Sequence, residues 1–205
     1  NLDLVVASRD LGTVAVYRLV YDPANTTVPI LSHHQEFDVQ GGPRSLRVAD
    51  VNGDGWNDLV VISRNRDKVV VFRNEAGRLS QSTESSTGSS PRELAEADFD
   101  ADGRKDFVVL NRDSASLTVL NAAASVPGVE RIGFSALDQS YSVEGDVAQL
   151  GVEDLNGDGR DDVIQLHHAV GIQTIAALVR PLRGQARPHV HARGAMSEEK
   201  RRVGL

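Results

Sequence analysis

A nine-residue pattern rich in aspartate and glycine occurs three times in this 205-residue chain. Its form is D-x-[DN]-x-D-G-x-x-D, and its copies cover residues 50–58 (loop one), 98–106 (loop two) and 154–162 (loop three). Each copy is followed by a short, mostly apolar run, such as the DLVVIS that begins at Asp58. A fourth run, DLVVAS, begins at Asp3. The runs recur about every 50 residues, so the chain is built from repeats.

Each repeat predicts short antiparallel strands. Residues 59–63 are apolar at consecutive positions, which is typical of a strand buried on both faces. A polar turn and a second apolar strand at 69–72 follow, and the same order recurs at 107–120. The Ser/Thr-rich residues 80–90 predict a loop. Repeats of this length and content predict an all-β fold, a β-propeller fragment of four-stranded antiparallel blades, two complete at about residues 39–129 and two partial.

The three loops predict calcium sites, because Ca²⁺ takes six to eight oxygen ligands at about 2.3–2.6 Å. Side chains at positions one, three and five, the carbonyl at position seven and the final Asp can converge on one ion, while the glycine at position six allows the turn. The predicted ligands are Asp50, Asn52, Asp54, Trp56 (carbonyl) and Asp58 in loop one; Asp98, Asp100, Asp102, Arg104 (carbonyl) and Asp106 in loop two; and Asp154, Asn156, Asp158, Arg160 (carbonyl) and Asp162 in loop three.

The loops fit an EF-hand, a zinc site or a magnesium site less well. An EF-hand needs a glutamate at position twelve, where these loops have Val61, Val109 and Gln165. Zinc favours cysteine and histidine, and the chain has no cysteine. Magnesium keeps most of its waters. A metal-free Asp/Gly-rich turn remains the plain alternative, but three or four carboxylates within nine residues repel one another without a cation.

Two positions depart from the common pattern. Loop two has Asp100 and Ala101 where the other loops have Asn and Gly, so we expect tighter binding from the extra charge and strain from the lost glycine. Asp3 matches the last ligand of a further loop whose other ligands are not in this chain, so we expect no ion there. Because the chain opens inside a strand, we expect it to be a piece of a longer protein.

The stretch GGPRSLRVADVNGDGWNDLVVISRNRDKVVVFRN at residues 41–74 resembles the FG-GAP/VCBS repeat family, the integrin-alpha-like calcium-binding propeller repeats. The resemblance extends over about residues 1–180. It implies a propeller in which calcium braces the hairpin between the first two strands of a blade, held by the three ligand sets given above. It also implies a secreted or cell-surface protein in which such modules support adhesion, ligand binding or attachment to enzymes.

Charge divides the chain into two parts. The formal net charge is −7, although residues 181–205 are rich in arginine and predict a basic, disordered tail. Residues 1–180, the expected propeller, are therefore strongly acidic, which favours cations over nucleic acid as partners. No apolar run is long enough to span a membrane. We interpret His33 and His34 as strand-end residues rather than as metal ligands.

We therefore expect a calcium-binding module with structural Ca²⁺ that serves extracellular adhesion or binds a protein or glycan ligand, and that is not itself an enzyme. The alternative is a propeller domain of a secreted enzyme that acts on carbohydrate or phosphoester. Catalysis rarely needs three equivalent copies of one loop, and this favours the calcium-binding module over the enzyme domain. Because a closed propeller needs at least about four blades, the missing blades should come from the rest of the parent chain or from self-association. Without them, strand edges and an apolar side should be exposed.

Overall fold

The computed structural model describes residues 3–22, 25–122, 134, 139–143, 147–167 and 174–178. In this part of the chain the secondary structure consists of β-strands and one short 3₁₀ turn at Arg64–Arg66. No helix among these residues is long and apolar enough to cross a membrane. The predicted basic tail at 181–205 lies outside the described residues.

The strands form four sheets in sequence order. The first sheet contains β1 (Asp3–Ser8), β2 (Thr13–Asp22) and β3 (Asn25–Asp38). The second contains β4 (Pro43–Ala49), β5 (Asp58–Ser63), β6 (Lys68–Glu75) and β7 (Arg78–Ser86). The third contains β8 (Pro91–Ala97), β9 (Asp106–Asn111), β10 (Ser116–Leu120) and β11 (Gln139–Ser142). The fourth contains β12 (Val147–Glu153), β13 (Asp162–His167) and β14 (Thr174–Leu178).

Every sheet is an antiparallel meander in which strands consecutive in sequence are neighbours in space. The first strands β4, β8 and β12 contact one another in order, and β1 contacts β4, so the sheets follow one another as propeller blades do. The prediction of an all-β fold, a β-propeller fragment with about two complete and two partial four-stranded antiparallel blades, is confirmed. Two described sheets have four strands and two have three. The predicted loop at 80–90 is wrong for its first part, which lies in β7.

The blades are held together by apolar side chains packed between neighbouring sheets. All residues of β5 are buried, as are all residues of β9. In β5 the side chains alternate between two interfaces: Val60 and Ile62 pack towards the third sheet, whereas Leu59 and Val61 pack towards the first. Burying one such side chain contributes about 1.5–3 kcal/mol. In the second and third sheets, the second strand, which begins at the last residue of an acidic loop, is therefore packed on both faces.

The first sheet leaves apolar side chains uncovered, as expected. On β1, Leu4 is 45% exposed and Val6 is 41% exposed. The two residues alternate along the strand and thus share a face of the sheet. Since β1 begins at Asp3 and pairs with β2, it corresponds to β5 of the second sheet.

Candidate metal centres

Loops one, two and three connect the first two strands of the second, third and fourth sheets. The sharp curl of each loop depends on left-handed backbone conformations. Gly53 and Gly55 have φ of +76° and +85° in loop one. In loop two, Ala101 takes the place of the first of these glycines and still has φ of +59°, so a side chain is forced into a region that favours glycine. The strain expected there is confirmed.

The aspartate at position one curls the loop around its own carboxylate. Asp50 Oδ1 accepts hydrogen bonds from the N–H groups of Gly53 (2.7 Å) and Asp54 (3.2 Å). Its Oδ2 accepts one from Gly55 (2.8 Å). Asp154 has the same arrangement in loop three, where the N–H of Gly159 is the largest influence lowering the pKa of Asp154. These hydrogen bonds favour the ionised form of the Asp154 carboxylate, which is the form that a metal ligand requires.

Positions three and five continue the same turn. Asn52 Oδ1 accepts from the N–H of Asp54 at 2.9 Å, and Asp54 Oδ1 accepts from the N–H of Trp56 at 2.8 Å. Loop three repeats both bonds through Asn156 and Asp158. These oxygens are therefore turned towards the inside of the loop. Backbone donors already hold them there before any ion binds.

Position nine has a second role that the sequence pattern does not reveal. Asp58, Asp106 and Asp162 are 0%, 1% and 3% exposed. In each, Oδ2 accepts from the N–H at position two of the same loop at 3.1 Å. Asp58 Oδ1 also accepts from Asn74 (2.8 Å), and Asp106 Oδ1 from Ala122 (2.7 Å). These two carboxylates tie their loops to the far end of the third strand of the blade.

Burial of these anchoring carboxylates shifts their titration. Burial raises the pKa of Asp106 to about 6, opposed by the hydrogen bonds from Ala122 and Phe99 and reinforced by the charges of Asp100 and Asp102. Burial likewise raises the pKa of Asp58 and the pKa of Asp162. Each anchor is a desolvated negative charge beside other negative charges, so a nearby cation would stabilise its ionised form.

Loop two brings three carboxylates to one point. Asp98, Asp100 and Asp106 each offer an oxygen, and these oxygens lie within 4.8 Å of one another. Two oxygens on the same Ca²⁺ ion lie no more than about 5 Å apart, so the group fits one ion. The carboxylate of Asp102 instead pairs with the guanidinium of Arg104. Loops one and three have Asn at position three, and their remaining carboxylates form no group of this kind in the described structure.

The residue fifteen positions after position nine lies beside the loop in two of the blades. Arg73 Nη2 is 3.9 Å from Asp54 Oδ2 in loop one. The residue equivalent to Arg73 in the next blade is Asn121, and its Oδ1 is buried without a hydrogen-bond partner among the described residues. Sequence analysis missed both positions, although each lies fifteen residues after position nine of its loop.

The remaining predicted residues have mixed outcomes. Trp56, Arg104 and Arg160 donate their N–H groups to position five, and coordination by their carbonyls stays a prediction. The imidazole of His33 lies 3.7 Å from Glu36 and edge-on to Tyr17, and His34 contacts the Gly77 carbonyl at 3.4 Å. Neither histidine belongs to the acidic loops.

The fold and the loops together define a class: a repeat protein built of propeller blades, in which an Asp-rich hairpin joins the first two strands of a blade. The model of the FG-GAP-like repeat family matches residues 1–61 and 50–109. The chain therefore belongs to the FG-GAP-like repeat family. Loop three lies beyond the matched residues but has the hydrogen bonds of loop one.

Sequence comparison with curated proteins gives no match. Among solved structures, the chain is similar to the crystal structure of a protein from Lactobacillus plantarum, with 17% identity and a TM-score of 0.48. The alignment covers 86% of this chain and 53% of that protein. The chain thus spans about half the length of that structure.

Proposed function

We propose that this chain is a calcium-binding propeller module in which loops one, two and three each hold one structural Ca²⁺ ion. The observation that carries the proposal is the convergence of Asp98, Asp100 and Asp106, whose oxygens lie within 4.8 Å of one another. Three ionised carboxylates at that separation repel strongly, and a divalent cation between them removes the repulsion. Oxygen-only donors at this spacing match the preference of calcium.

Loops one and three would hold calcium with an amide oxygen in place of one carboxylate. Asn52 and Asn156 provide that oxygen, and asparagine is an ordinary calcium ligand. In loop one the Asn52 amide nitrogen now donates to Asp54 Oδ2 at 2.8 Å, and Asn52 Oδ1 is turned towards the Asp54 N–H. We expect these two sites to bind calcium more weakly than loop two, because each has one carboxylate fewer.

In this proposal calcium has a structural role, because it makes the loops at the edge of the blades rigid. The ion supplies positive charge that fixes positions one to five, while in loops one and two position nine already ties the loop to the third strand. A rigid loop edge suits adhesion or the binding of a protein or glycan ligand, and we propose an extracellular or cell-surface location for the module. Calcium concentrations there suit sites with a Kd on the order of 10⁻⁴–10⁻³ M. Further blades would come from the rest of the parent chain or from another copy.

Thermal unfolding in calcium and in EDTA tests the proposal. An ion that binds only the folded state stabilises it by about 2.7 kcal/mol per site at a hundredfold excess over Kd. We expect calcium to raise the unfolding temperature, with a much smaller effect from magnesium at equal concentration. Asp102→Ala should remove part of the calcium-dependent increase.

The matched control is Asp113→Ala, which removes an exposed aspartate from the β9–β10 turn, outside the loops. This variant should keep the full response to calcium. Unfolding curves that coincide in millimolar calcium and in EDTA would show that the loops do not use the ion as structural support.

A further inference from the structure

Loops two and three are joined by two hydrogen bonds between neighbouring blades. Asp161 Oδ2 accepts from the N–H of Asp98 at 2.7 Å. In return, the N–H of Asp161 donates to the carbonyl oxygen of Asp98 at 3.0 Å. Asp98 is position one of loop two, and Asp161 is position eight of loop three, next to the anchoring Asp162. The two hydrogen bonds therefore connect Asp98, a proposed ligand in loop two, to Asp161, the residue next to the proposed ligand Asp162 in loop three.

We propose that Asp161 is a positioning residue that couples calcium binding at loop two to calcium binding at loop three. The proposal rests on the proposed function. An ion in loop two would hold the carboxylate of Asp98 and would thereby restrain the backbone of Asp98. Because this backbone is hydrogen-bonded to Asp161, the position of Asp161 and of the adjacent Asp162 in loop three would also be restrained. The second ion then binds a loop that is already partly ordered, so its binding costs less conformational entropy. Calcium binding at each loop therefore strengthens calcium binding at the other.

The sequence restricts this coupling to one pair of loops. The residue at position eight is Asn57 in loop one and Lys105 in loop two. To reach back to loop one, Lys105 would have to accept a hydrogen bond from the N–H of Asp50. A lysine ammonium only donates, so it cannot form this bond. Loop one is therefore expected to bind calcium independently of the other two.

Two substitutions at Asp161 separate positioning from charge. Asp161→Ala removes both the acceptor and the charge. Asp161→Asn removes the charge but keeps a side-chain oxygen that can accept from Asp98. If the hydrogen bond carries the coupling, the asparagine variant retains most of it and the alanine variant loses it. Asn57→Ala is the matched control, since it changes position eight of a loop without a described link of this kind.

Calorimetric titration with calcium is made in the Asp54→Ala background, which silences loop one and leaves two sites. We expect a Hill coefficient above 1. We also expect silencing loop three by Asp158→Ala to weaken binding at loop two roughly fivefold, within the usual range of coupling. With Asp161→Ala the Hill coefficient should fall to 1 or below, because independent sites of unequal affinity give no more than 1, and Asp158→Ala should no longer affect loop two. Circular dichroism in EDTA verifies that each variant is folded.

The outcomes are distinct. Undiminished cooperativity in Asp161→Ala overturns the role of Asp161, and so does an equal loss in Asp161→Asn, which would assign the effect to charge rather than to positioning. Independent binding at loops two and three in the parent background overturns the coupling but leaves the proposed function standing. If the unaltered chain binds no calcium, both proposals fall together.

Discussion

The role of the aspartate at position nine is tested by replacing Asp106 with alanine in the absence of calcium. Asp106 is 1% exposed, and its two oxygens accept from Phe99 N (3.1 Å) and Ala122 N (2.7 Å). Alanine would leave both buried N–H groups without an acceptor. The loop would then lose its attachment to the end of β10, whether or not an ion is present.

The magnitude follows from these two bonds. A buried donor left without a partner costs about 1–3 kcal/mol, so the two together cost about 2–6 kcal/mol. Part of this is offset, because the substitution also removes a buried negative charge whose pKa is raised to about 6. We expect a net loss of about 2–4 kcal/mol. For a chain of this length that corresponds to a fall of roughly 4–16 °C in unfolding temperature.

The assay is thermal unfolding by circular dichroism in EDTA, with Asp102→Ala as the comparison within the same loop. Asp102 is exposed and its carboxylate pairs with Arg104, so its loss should cost less than about 1 kcal/mol without calcium. In calcium both variants should be less stable than the unaltered chain. The reasoning is refuted if Asp106→Ala unfolds within about 1 °C of the unaltered chain in EDTA, or if Asp102→Ala loses as much.

Three further predictions concern the same loops. Ala101→Gly should stabilise the chain by up to about 1 kcal/mol, measured by urea unfolding, because φ of +59° strains an alanine. In EDTA the folded pKa of Asp106, about 6, exceeds the ordinary 3.8, so the folded state binds the extra proton. Stability from this group is therefore complete below about pH 4 and is lost as the pH rises through 6. Urea midpoints across pH 4–7 should show this slope, and Asp106→Asn should reduce it, because the raised pKa values of Asp58 and Asp162 contribute a slope of the same sign. Trp56 is the single tryptophan and lies in loop one, so Tb³⁺ luminescence excited through it should disappear in Asp54→Ala and persist in Asp158→Ala.

The buried strands could be predicted from the sequence, but the outer strand β7 could not. The apolar run of β5 is fully buried because sheets pack against both of its faces. By contrast, β7 contains serines, a threonine and a glutamate, a composition that predicts a loop. It is a strand because the backbone of β6 pairs with it from Lys68↔Ser86 to Glu75↔Arg78. An edge strand needs only backbone hydrogen bonds along one side, and these leave little trace in composition.

The loops themselves could also be predicted, since every predicted side-chain ligand lies within a single run of nine residues. What the sequence could not provide is the set of partners outside that run. The N–H of Ala122 reaches Asp106 from sixteen residues away, and Asp161 reaches Asp98 from 63 residues away. Both contacts depend on the register of neighbouring strands and on how one blade packs against the next, which is set by the folded core.

Because of these long-range contacts, the two parts of a loop are held in place in different ways. In loops one and two, position nine is tied to the third strand through a backbone donor, so it keeps its place without an ion. Positions one to five curl around their own amides, and in loop two they still leave carboxylates close enough to repel. Calcium then has only positions one to five left to fix, and more of its interaction with the oxygens appears as affinity than if it also had to order position nine. It follows that chelation should loosen the exposed part of each loop, positions one to five, while β5, β9 and β13 remain paired. Hydrogen exchange measured with calcium and after chelation would distinguish the loops from the strands. If chelation also made exchange faster in the strands, the ion, and not the core, would be holding position nine.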